Sequence, residues 1–378
     1  MRKIQNIFLT ESMDETLKYQ IALSLIPNIG DILAKRLVAY CGSVEAVFKE
    51  KKQALERIPG IGSVNVNNIL NHDVFGAAEA EVNFVRKNHI NPVFYLDASY
   101  PKRLLHCDDS PILLYFKGNT NLNAEKVISI VGTREATEYG KRICEKLIAD
   151  LAPHQATIVS GLAYGIDICA HKAALQQGLP TICVLAHGLD KIYPAVHATT
   201  ANKMLEQGGW LTDFKSKTKP DRENFPSRNR IVAGIADATL VIESKVNGGS
   251  LITADIANTY NRDVFAFPGR VDDAWSEGCN ALIKNNKAAM IQNATDLVNA
   301  MGWEPKKGQK APQQNKLFVE LNPEEERIVN ELRKKENITI DELCLVCKLP
   351  MSKVSSILLT LEFSGVVKSM PGKTYRVC

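Results

Sequence analysis

The pattern of apolar and polar positions divides the chain into regions of different periodicity. Up to about residue 85, apolar residues recur at helical spacing on either side of two short turns. From about residue 90, short apolar runs alternate with amphipathic stretches, and helical spacing returns after residue 322. We therefore predict a helical domain, a central domain, a linker and a C-terminal domain at residues 1–85, 86–303, 304–322 and 323–378.

The central region predicts an α/β fold. Apolar runs predict strands at 127–131, 156–160, 181–186, 209–212, 239–243, 264–267 and 288–291. Amphipathic stretches predict helices between them at 138–151, 166–177, 198–207, 227–236 and 251–260. Apolar strands separated by helices form a mostly parallel, doubly wound sheet covered on both faces. Ligands of such sheets bind beyond the carboxyl ends of the strands.

The two N-terminal turns repeat a motif, Ile-Pro-Asn-Ile-Gly at 26–30 and Ile-Pro-Gly-Ile-Gly at 58–62. Helical patterns flank both turns, which indicates a pair of helix-hairpin-helix units. Such turns can direct backbone N–H groups at a DNA phosphate. Only Lys35 and Arg36 follow the first turn and no cation follows the second, so the pattern favours a structural role over DNA contact.

The C-terminal region has the outline of a winged helix. Pro323 and three glutamates open a first helix, and helices at 340–347 and 351–364 precede a two-stranded ribbon at 365–377. The third helix carries only Lys353 as a cation, so contact with protein and contact with DNA remain equally open. Lys, Gln, Gly and Pro dominate the preceding residues 304–322, which is typical of a linker.

Composition places the chain among ordinary globular proteins. Hydrophobic residues make up 45% and charged residues 23%, and the net charge of +4 is too small to demand a polyanionic partner, so any basic patch must be local. The nine cysteines lack framework spacing, which favours reduced thiols in a cytoplasmic protein. Cys344 and Cys347 lack further ligands, so core packing is favoured over zinc. No run approaches the ~20 apolar residues of a membrane span.

A first candidate anion site follows the first predicted central strand. Gly132-Thr133-Arg134 lacks the G-x-G-x-x-G pattern, which disfavours a nicotinamide cofactor. The glycine permits close backbone approach, Thr133 offers a hydroxyl, and Arg134 offers a two-pronged donor for phosphate. Pairing of Arg134 with an internal carboxylate is the alternative.

A second candidate is the stretch Arg222 to Arg230. Pro226 is expected at a helix start, with Phe225 exposed just before it and Arg228 and Arg230 in the first turns. Cations there oppose the helix dipole, which makes sense if an anion also binds. An aromatic ring beside two guanidinium groups is the combination that single-stranded nucleic acid uses. A helix start with surface arginines is the alternative.

The third candidate is Lys245 with the turn Gly248-Gly249-Ser250, which places several backbone N–H groups at a helix start. Glu243 and Asp255 are the nearby acids, and neither has an evident partner for acid–base catalysis. Asp167 and His171 lie four residues apart on one helix face, where internal hydrogen bonding is favoured over metal binding.

Several motifs in one order resemble the DNA-processing protein A (DprA, or Smf) family of bacterial natural transformation: VGTREATEYG, SGLAYGIDICAH, GLDKIYP, FPSRNRIVAG, NGGSLITA and VFAFPGR. The resemblance implies a Rossmann-like domain flanked by a helix-hairpin-helix (SAM-like) domain and a winged helix. It implies a homodimer that binds and protects single-stranded DNA and loads the RecA recombinase, without enzymatic activity or cofactor.

The resemblance and the three candidate stretches together give one set of expected DNA-binding residues: Gly132, Thr133, Arg134, Ser160, Gly161, Tyr164, Arg222, Phe225, Arg228, Asn229, Arg230, Lys245, Gly248, Gly249 and Ser250. Tyr164 stands where many family members have arginine, which removes a charge but supplies a ring that could stack on a base.

Two other functions compete with this one. The sheet and its Gly-Gly turn resemble phosphoribohydrolases of the Lonely-guy type, which cleave nucleoside monophosphates and carry P-G-G-x-G-T-x-x-E. This chain has Asn247-Gly248-Gly249-Ser250 without the Gly-Thr or the aligned glutamate. A structural adaptor acting through its end domains would bind no nucleic acid.

Overall fold

The computed structural model describes residues 2–303, 321–335, 337–370 and 372–377, with side chains from residue 14 onward. The chain divides into two compact units, Met1–Met290 and Ile291–Cys378. Residues 304–320 of the predicted linker lie outside the described residues. The exact domain boundaries stay a prediction.

Helices form the N-terminal part of the first unit. In chain order they are α1 (Arg2–Leu25), α2 (Asp31–Cys41), α3 (Val44–Lys49), α4 (Lys52–Leu55), α5 (Ser63–Leu70) and α6 (Phe75–Lys87). The two repeated turns lie between α1 and α2 and between α4 and α5, as predicted, and α3 and α6 were not predicted. The SAM-like classification stays a prediction.

The helical part shares its hydrophobic core with one edge of the central sheet. Ile21 and Leu37 of the helices belong to the same buried cluster as Phe94, Tyr115 and Trp210. Burial of apolar surface is the main stabilising term in folding. The N-terminal helices are therefore fixed to the sheet by a continuous apolar contact.

The strands of the central sheet are β1 (Asn91–Phe94), β2 (Leu113–Gly118), β3 (Val127–Val131), β4 (Thr157–Ser160), β5 (Thr181–Val184), β6 (Gly208–Thr212), β7 (Ala238–Val241), β8 (Asp263–Ala266) and β9 (Ala289–Met290). Their order is β1-β2-β6-β5-β4-β3-β7-β8-β9; β2 is antiparallel to both of its neighbours, β1 and β6, and all the other neighbouring pairs are parallel. The predicted mostly parallel, doubly wound sheet is confirmed. Strands β1 and β2 were not predicted, although residues 93–96 and 112–116 are apolar runs of strand length.

The remaining helices of this unit are α7 (Lys102–Leu105), α8 (Glu138–Leu151), α9 (Ile166–Gln176), α10 (Ala198–Gln207), α11 (Asn224–Gly234), α12 (Gly249–Thr259) and α13 (Glu277–Lys284). Every residue of β3 to β7 is buried, as expected for a sheet with helices on both faces. Helix α11 begins three residues before the predicted 227, so Phe225 lies in its first turn and not before it. Pro226 is tolerated there because first-turn N–H groups have no partner within the helix.

The strand order reverses between β3 and β7. The chain proceeds from β3 through β4 and β5 to β6 on one side, then returns to place β7, β8 and β9 on the other side of β3. Residue pairs such as Ile128 with Ala238 and Val131 with Val241 fix the register of these two strands. The loops that follow β3 and β7 therefore diverge at the position where such sheets bind ligands.

The second unit contains α14 (Ala294–Met301), α15 (Pro323–Lys334), β10 (Ile338–Thr339), α16 (Ile340–Cys347), α17 (Met351–Phe363), β11 (Val367–Met370) and β12 (Thr374–Val377). The last three helices and the ribbon confirm the predicted winged helix, with β10 added to the ribbon. Cys344 and Cys347 are buried in its apolar core. Lys353, the cation of the third winged-helix helix, forms an ion pair with Glu324.

Within the described residues, no single helix is long and apolar enough to cross a membrane. Helices α16 and α17 reach that length and composition only as a pair bent by 112°.

Candidate nucleic-acid interface

A pocket of about 1060 Å³ lies beyond the carboxyl ends of β3, β4 and β7. Twelve of the fifteen expected DNA-binding residues line it: Gly132, Thr133, Arg134, Gly161, Arg222, Phe225, Arg228, Asn229, Lys245, Gly248, Gly249 and Ser250. The structure therefore brings together the three separate stretches of sequence in which candidates were found.

The turn after β3 is held by its own backbone. Thr133 donates its N–H to the carbonyl of Glu243 at 2.7 Å, and Ile166 donates to the carbonyl of Thr133 at 3.1 Å. A Cβ on Gly132 would lie 2.5 Å from Cγ1 of Ile166 and 3.0 Å from the Glu243 oxygen. Gly132 is thus required for packing between this turn and α9, and it also lines the pocket.

Gly161 makes room for the guanidinium of Arg228. A Cβ on Gly161 would lie 2.1 Å from Nη1 of Arg228, and that same nitrogen donates to the carbonyl of Val184 at the end of β5. Arg228 is only 4% exposed and still lines the pocket. Its guanidinium therefore forms part of the pocket floor, and the alternative of a surface arginine is wrong for this residue.

The charge of Arg228 is only partly compensated by the protein. Burial lowers the pKa of Arg228, and the Asp167 carboxylate opposes this shift. Burial raises the pKa of Asp167, while Arg228 and backbone donors, among them Gly161 N–H at 3.2 Å, oppose it. Nε of Arg228 has no hydrogen-bond partner among the described residues. A buried, incompletely bonded cation favours an anion in the pocket above it.

His171 and Asp167 do not bond to each other. His171 Nδ1 lies 2.7 Å from the Thr181 hydroxyl, whereas Asp167 accepts backbone N–H groups. Burial, reinforced by the charge of Arg228, lowers the pKa of His171 to about 3. The expected internal hydrogen bonds are present, with these other partners.

The guanidinium of Arg134 lies over the ring of Phe225. Cζ of Arg134 lies 5.3 Å from the ring centroid of Phe225, and the Tyr193 ring lies 6.2 Å away on a tilted plane. Arg134 is exposed and forms no ion pair within the described part of the chain, so the internal-carboxylate alternative is wrong. The arrangement offers an aromatic face and an available guanidinium in one place.

A second ring with a cation was missed by sequence reasoning. Nζ of Lys245 lies 3.8 Å from the ring centroid of Trp275, and it forms an ion pair with Glu135 at 3.1 Å. All three residues line the pocket. The signal that could have indicated Trp275 is an aromatic residue in the loop that follows a strand of the same sheet, β8.

Helix α12 points its first turn at the pocket. Gly248 is its N-cap residue, and no side chain caps the helix. A Cβ added to Gly249 would meet no described atom within 4 Å, so the space at the helix start is open. The Ser250 hydroxyl is used internally, because it donates to the Ser244 hydroxyl at 2.9 Å. The backbone N–H groups of this turn, rather than Ser250 Oγ, are the groups that remain for an anion.

Three expected residues lie outside the pocket lining. Ser160 is fully buried and donates its hydroxyl to the Ile130 carbonyl at 2.6 Å. Tyr164 is 50% exposed, and its ring packs against His197 at 4.9 Å. Arg230 forms ion pairs with Asp31 and Asp213.

Arg230 joins the helical part of the unit to the sheet. Its Nη1 lies 2.9 Å from the Asp31 carboxylate at the start of α2, and its Nη2 lies 2.7 Å from Asp213 after β6. Burial alone would lower the pKa of Arg230, but the two carboxylates raise it above its usual range. The placement argues against the expected DNA contact, because two carboxylates of the protein already neutralise the charge of this guanidinium.

The acids that a hydrolase would use are also engaged. Glu243 is 3% exposed, and its carboxylate accepts hydrogen bonds from the N–H and hydroxyl of Thr137, the N-cap residue of α8. Asp255 forms an ion pair with Lys287 at 2.8 Å. Glu243 thus fixes a helix start instead of facing the pocket.

The two cations after the first N-terminal turn make internal contacts. Lys35 donates to the Ser110 hydroxyl at 2.7 Å, and burial lowers its pKa. Arg36 donates to the Pro59 carbonyl of the second turn at 2.6 Å. These contacts support the structural role that the sequence favoured.

Comparison with known proteins identifies the family of the central and C-terminal regions. Residues 91–302 match the family described as DNA recombination-mediator protein A, and residues 310–373 match the DprA winged helix domain. Protein Smf of Synechocystis is 30% identical over an alignment covering 95% of this chain and 98% of the relative. DNA processing protein DprA of Streptococcus pneumoniae is 39% identical over 54% of this chain and 71% of the relative.

Two solved structures are also similar. DNA processing protein A from Streptococcus pneumoniae matches with a TM-score of 0.64 and 31% identity, covering 74% of this chain and 96% of the other. DNA processing protein A from Helicobacter pylori, described for its single-stranded DNA binding mode, matches with a TM-score of 0.51 and 30% identity, covering 56% and 94%.

Proposed function

Because this chain belongs to the DNA recombination-mediator protein A family, we propose that it binds single-stranded DNA in the pocket at the ends of β3, β4 and β7. The observation that carries the proposal is the pairing of an incompletely bonded, buried Arg228 with the Arg134–Phe225 stack in one pocket. Rings accept unpaired bases, and guanidinium groups accept the phosphates between them.

Each group has a specific role in this proposal. The exposed side chains Arg134, Arg222 and Lys245 bind phosphates, and the start of α12 donates the backbone N–H groups that follow Gly248, those of Gly249 and Ser250, to another. Phe225 stacks on a base. Arg228 supplies positive potential from the floor.

The remaining expected residues contribute in lesser ways. Thr133 and Asn229 contact the strand from the pocket wall, and Tyr164 stacks at its margin. Ser160, Gly132 and Gly161 position the strand-end turns, whereas Arg230 stabilises the fold.

We also propose the finer functions that the family resemblance suggests. The protein acts as a homodimer in the cytoplasm, protects incoming single strands during natural transformation, and loads RecA onto them. It performs no catalytic step itself, which is supported by the engagement of Glu243 with Thr137, the N-cap residue of α8.

A binding titration tests the proposal. A fluorescent single-stranded oligonucleotide and its matched duplex are titrated with the full chain across a range of salt concentrations. We expect tighter binding of the single strand and a linear fall of log affinity with log salt. Equal affinity for the duplex would contradict the stacking component, because paired bases cannot stack on Phe225.

The enzymatic alternative has its own measurement. Release of free base from a nucleoside monophosphate, retained by Arg228→Ala but lost in Glu243→Gln, would support a phosphoribohydrolase instead. We expect that neither the wild type nor Glu243→Gln releases free base.

A further inference from the structure

The pocket contains a second unit of ring and cation, formed by Trp275 and Lys245. Nζ of Lys245 lies 3.8 Å from the centroid of the Trp275 ring, and both residues line the pocket. Resting on the proposed function, we propose that Trp275 is a second base-stacking platform, so that the pocket holds two bases of one strand and not one.

The backbone around Trp275 is fixed before any ligand arrives. Ser244 donates its N–H to the Trp275 carbonyl at 2.8 Å, and Gly278 donates to the Ser244 carbonyl at 2.8 Å. A Cβ on Gly278 would lie 2.6 Å from the Lys245 oxygen, so only glycine permits this close approach. The loop is thereby joined to the segment after β7 that carries Lys245, and a preorganised platform costs little ordering on binding.

A tryptophan with a purely structural role looks different in this protein. Trp210 is 7% exposed and donates Nε1 to the Ala201 carbonyl at 2.7 Å. The Trp275 side chain is partly exposed on a pocket wall instead. A large ring kept partly in water inside a concave site indicates a binding role.

The unit repeats the chemistry of the first platform. Arg134 with Phe225 comes from the β3 loop and α11, and Lys245 with Trp275 comes from the β7 and β8 loops. In each pair a phosphate-binding charge lies beside an aromatic face. Two such pairs in one pocket match the alternation of base and phosphate along a single strand.

Glu135 fits this scheme as the anion that Lys245 holds in the absence of DNA. The ion pair measures 3.1 Å, and its two side chains are 51% and 71% exposed. Exposed ion pairs contribute little stability. A phosphate can therefore replace the carboxylate at small cost, while Lys245 remains over the ring.

The test compares two oligonucleotides of equal length, oligothymidylate and a fully abasic strand, binding to the full chain. We expect Trp275→Ala to weaken oligothymidylate binding by roughly 5- to 100-fold, as loss of one stacked base would. Abasic-strand affinity and the salt dependence should stay within about twofold, because no phosphate contact is removed. Trp275→Phe should retain most of the affinity.

Val271→Ala is the matched control. Val271 lies in the same loop and is 91% exposed, but it does not line the pocket. This variant should bind both oligonucleotides as the wild type does. Thermal unfolding of each variant verifies that it is folded.

Intrinsic tryptophan emission gives an independent measurement on the wild type. Oligothymidylate should quench the emission of Trp275 at saturation, and the abasic strand should not. If oligothymidylate binds without quenching, or if Trp275→Ala loses equal affinity for both oligonucleotides, Trp275 is not a stacking platform. Either result would leave the proposed binding of single strands intact. Failure of the wild type to bind either strand would overturn the proposed function as well.

Discussion

The N-terminal hairpin and the pocket loops carry the same sequence signal and use it differently. In both regions a turn that contains glycine precedes a helix, and cations lie near it. In the hairpin, Lys35 and Arg36 donate to Ser110 and to the Pro59 carbonyl. In the pocket, Arg134 is exposed over the Phe225 ring. A cation near a helix start therefore indicates an anion site only where the protein has not already satisfied the charge.

The same contrast occurs within helix α11. Arg228 and Arg230 are two residues apart, so their side chains leave the helix in different directions. Arg228 reaches the pocket floor and forms no ion pair with the described residues, whereas Arg230 forms ion pairs with Asp31 and Asp213. Substitutions on the two sides of this comparison should separate effects on stability from effects on binding.

The largest effect is expected for Arg230→Met. Removing one member of a buried ion pair leaves the Asp213 charge uncompensated, so the free energy of unfolding should fall by about 3–5 kcal/mol. Chemical denaturation measures the change. Arg270→Met is the control, since the Arg270–Asp272 pair is 86% and 83% exposed and its loss should cost under about 0.5 kcal/mol. A similar small loss for Arg230→Met would place it with the surface arginines.

Acidification should have the next largest effect on the free energy of unfolding. The pKa of His171 is lowered from 6.5 to about 3 in the folded protein, so neutral His171 contributes stability that is present above pH 6.5 and lost as the pH falls toward 3. The expected loss is about 1.4 kcal/mol per pH unit, or about 2 kcal/mol at pH 5. Denaturation between pH 7 and 5 measures it. His171→Asn should remove this part of the pH dependence, and an unchanged slope in that variant would contradict the assignment.

Phe225→Ala tests the stacking side of the comparison. Single-strand affinity should fall by about 1–3 kcal/mol, and the salt dependence should stay unchanged, because the ring carries no charge. Fluorescence anisotropy at several salt concentrations measures both quantities. Phe363→Ala, at an 84% exposed phenylalanine of α17, is the control and should have no effect. A change in salt dependence with Phe225→Ala would mean that the ring acts by holding Arg134.

Arg134→Ala tests the available cation. Binding should weaken for all sequences alike, and the slope of log affinity against log salt should flatten by about 0.7 for the lost phosphate contact. The same titration series measures it. An unchanged slope would show that Arg134 serves the Phe225 ring alone.

Arg36→Ala should have the smallest effect. Its guanidinium donates to the Pro59 carbonyl, so single-strand affinity and its salt slope should match the wild type. A slope that flattens as much as in Arg134→Ala would remove the distinction between hairpin and pocket and would make the hairpin a second DNA contact.

The sequence could predict most of the central fold because its strands are uniformly apolar. Strands such as Val127–Val131, and helices such as Glu138–Leu151 and Ala198–Gln207, were predicted to the residue. Strands β1 and β2 also contain apolar runs, but their antiparallel edge, in which β2 pairs with β6 and contacts the N-terminal helices, does not follow from those runs. Pairing and packing between segments that are distant in sequence cannot be read from a short stretch of residues.

The candidate site shows the same limit. The glycines and cations of the strand-end loops were identifiable because ligands bind at that edge of the sheet. The sequence could not show which of these cations is paired with an acid of the protein. Asp31 and Asp213 are distant in sequence from Arg230 and meet it only through packing. Trp275 was missed because its contact with Lys245 joins loops 30 residues apart along the chain.

Two residues of helix α11, Phe225 and Arg228, line the pocket, and a third, Arg230, forms the internal ion pairs with Asp31 and Asp213. A genetic screen for variants that no longer capture DNA would consequently recover changes at Asp31 or Asp213, which touch no nucleotide. Such alleles should regain activity when the cells are grown cooler, whereas alleles at Phe225 should stay defective at every growth temperature.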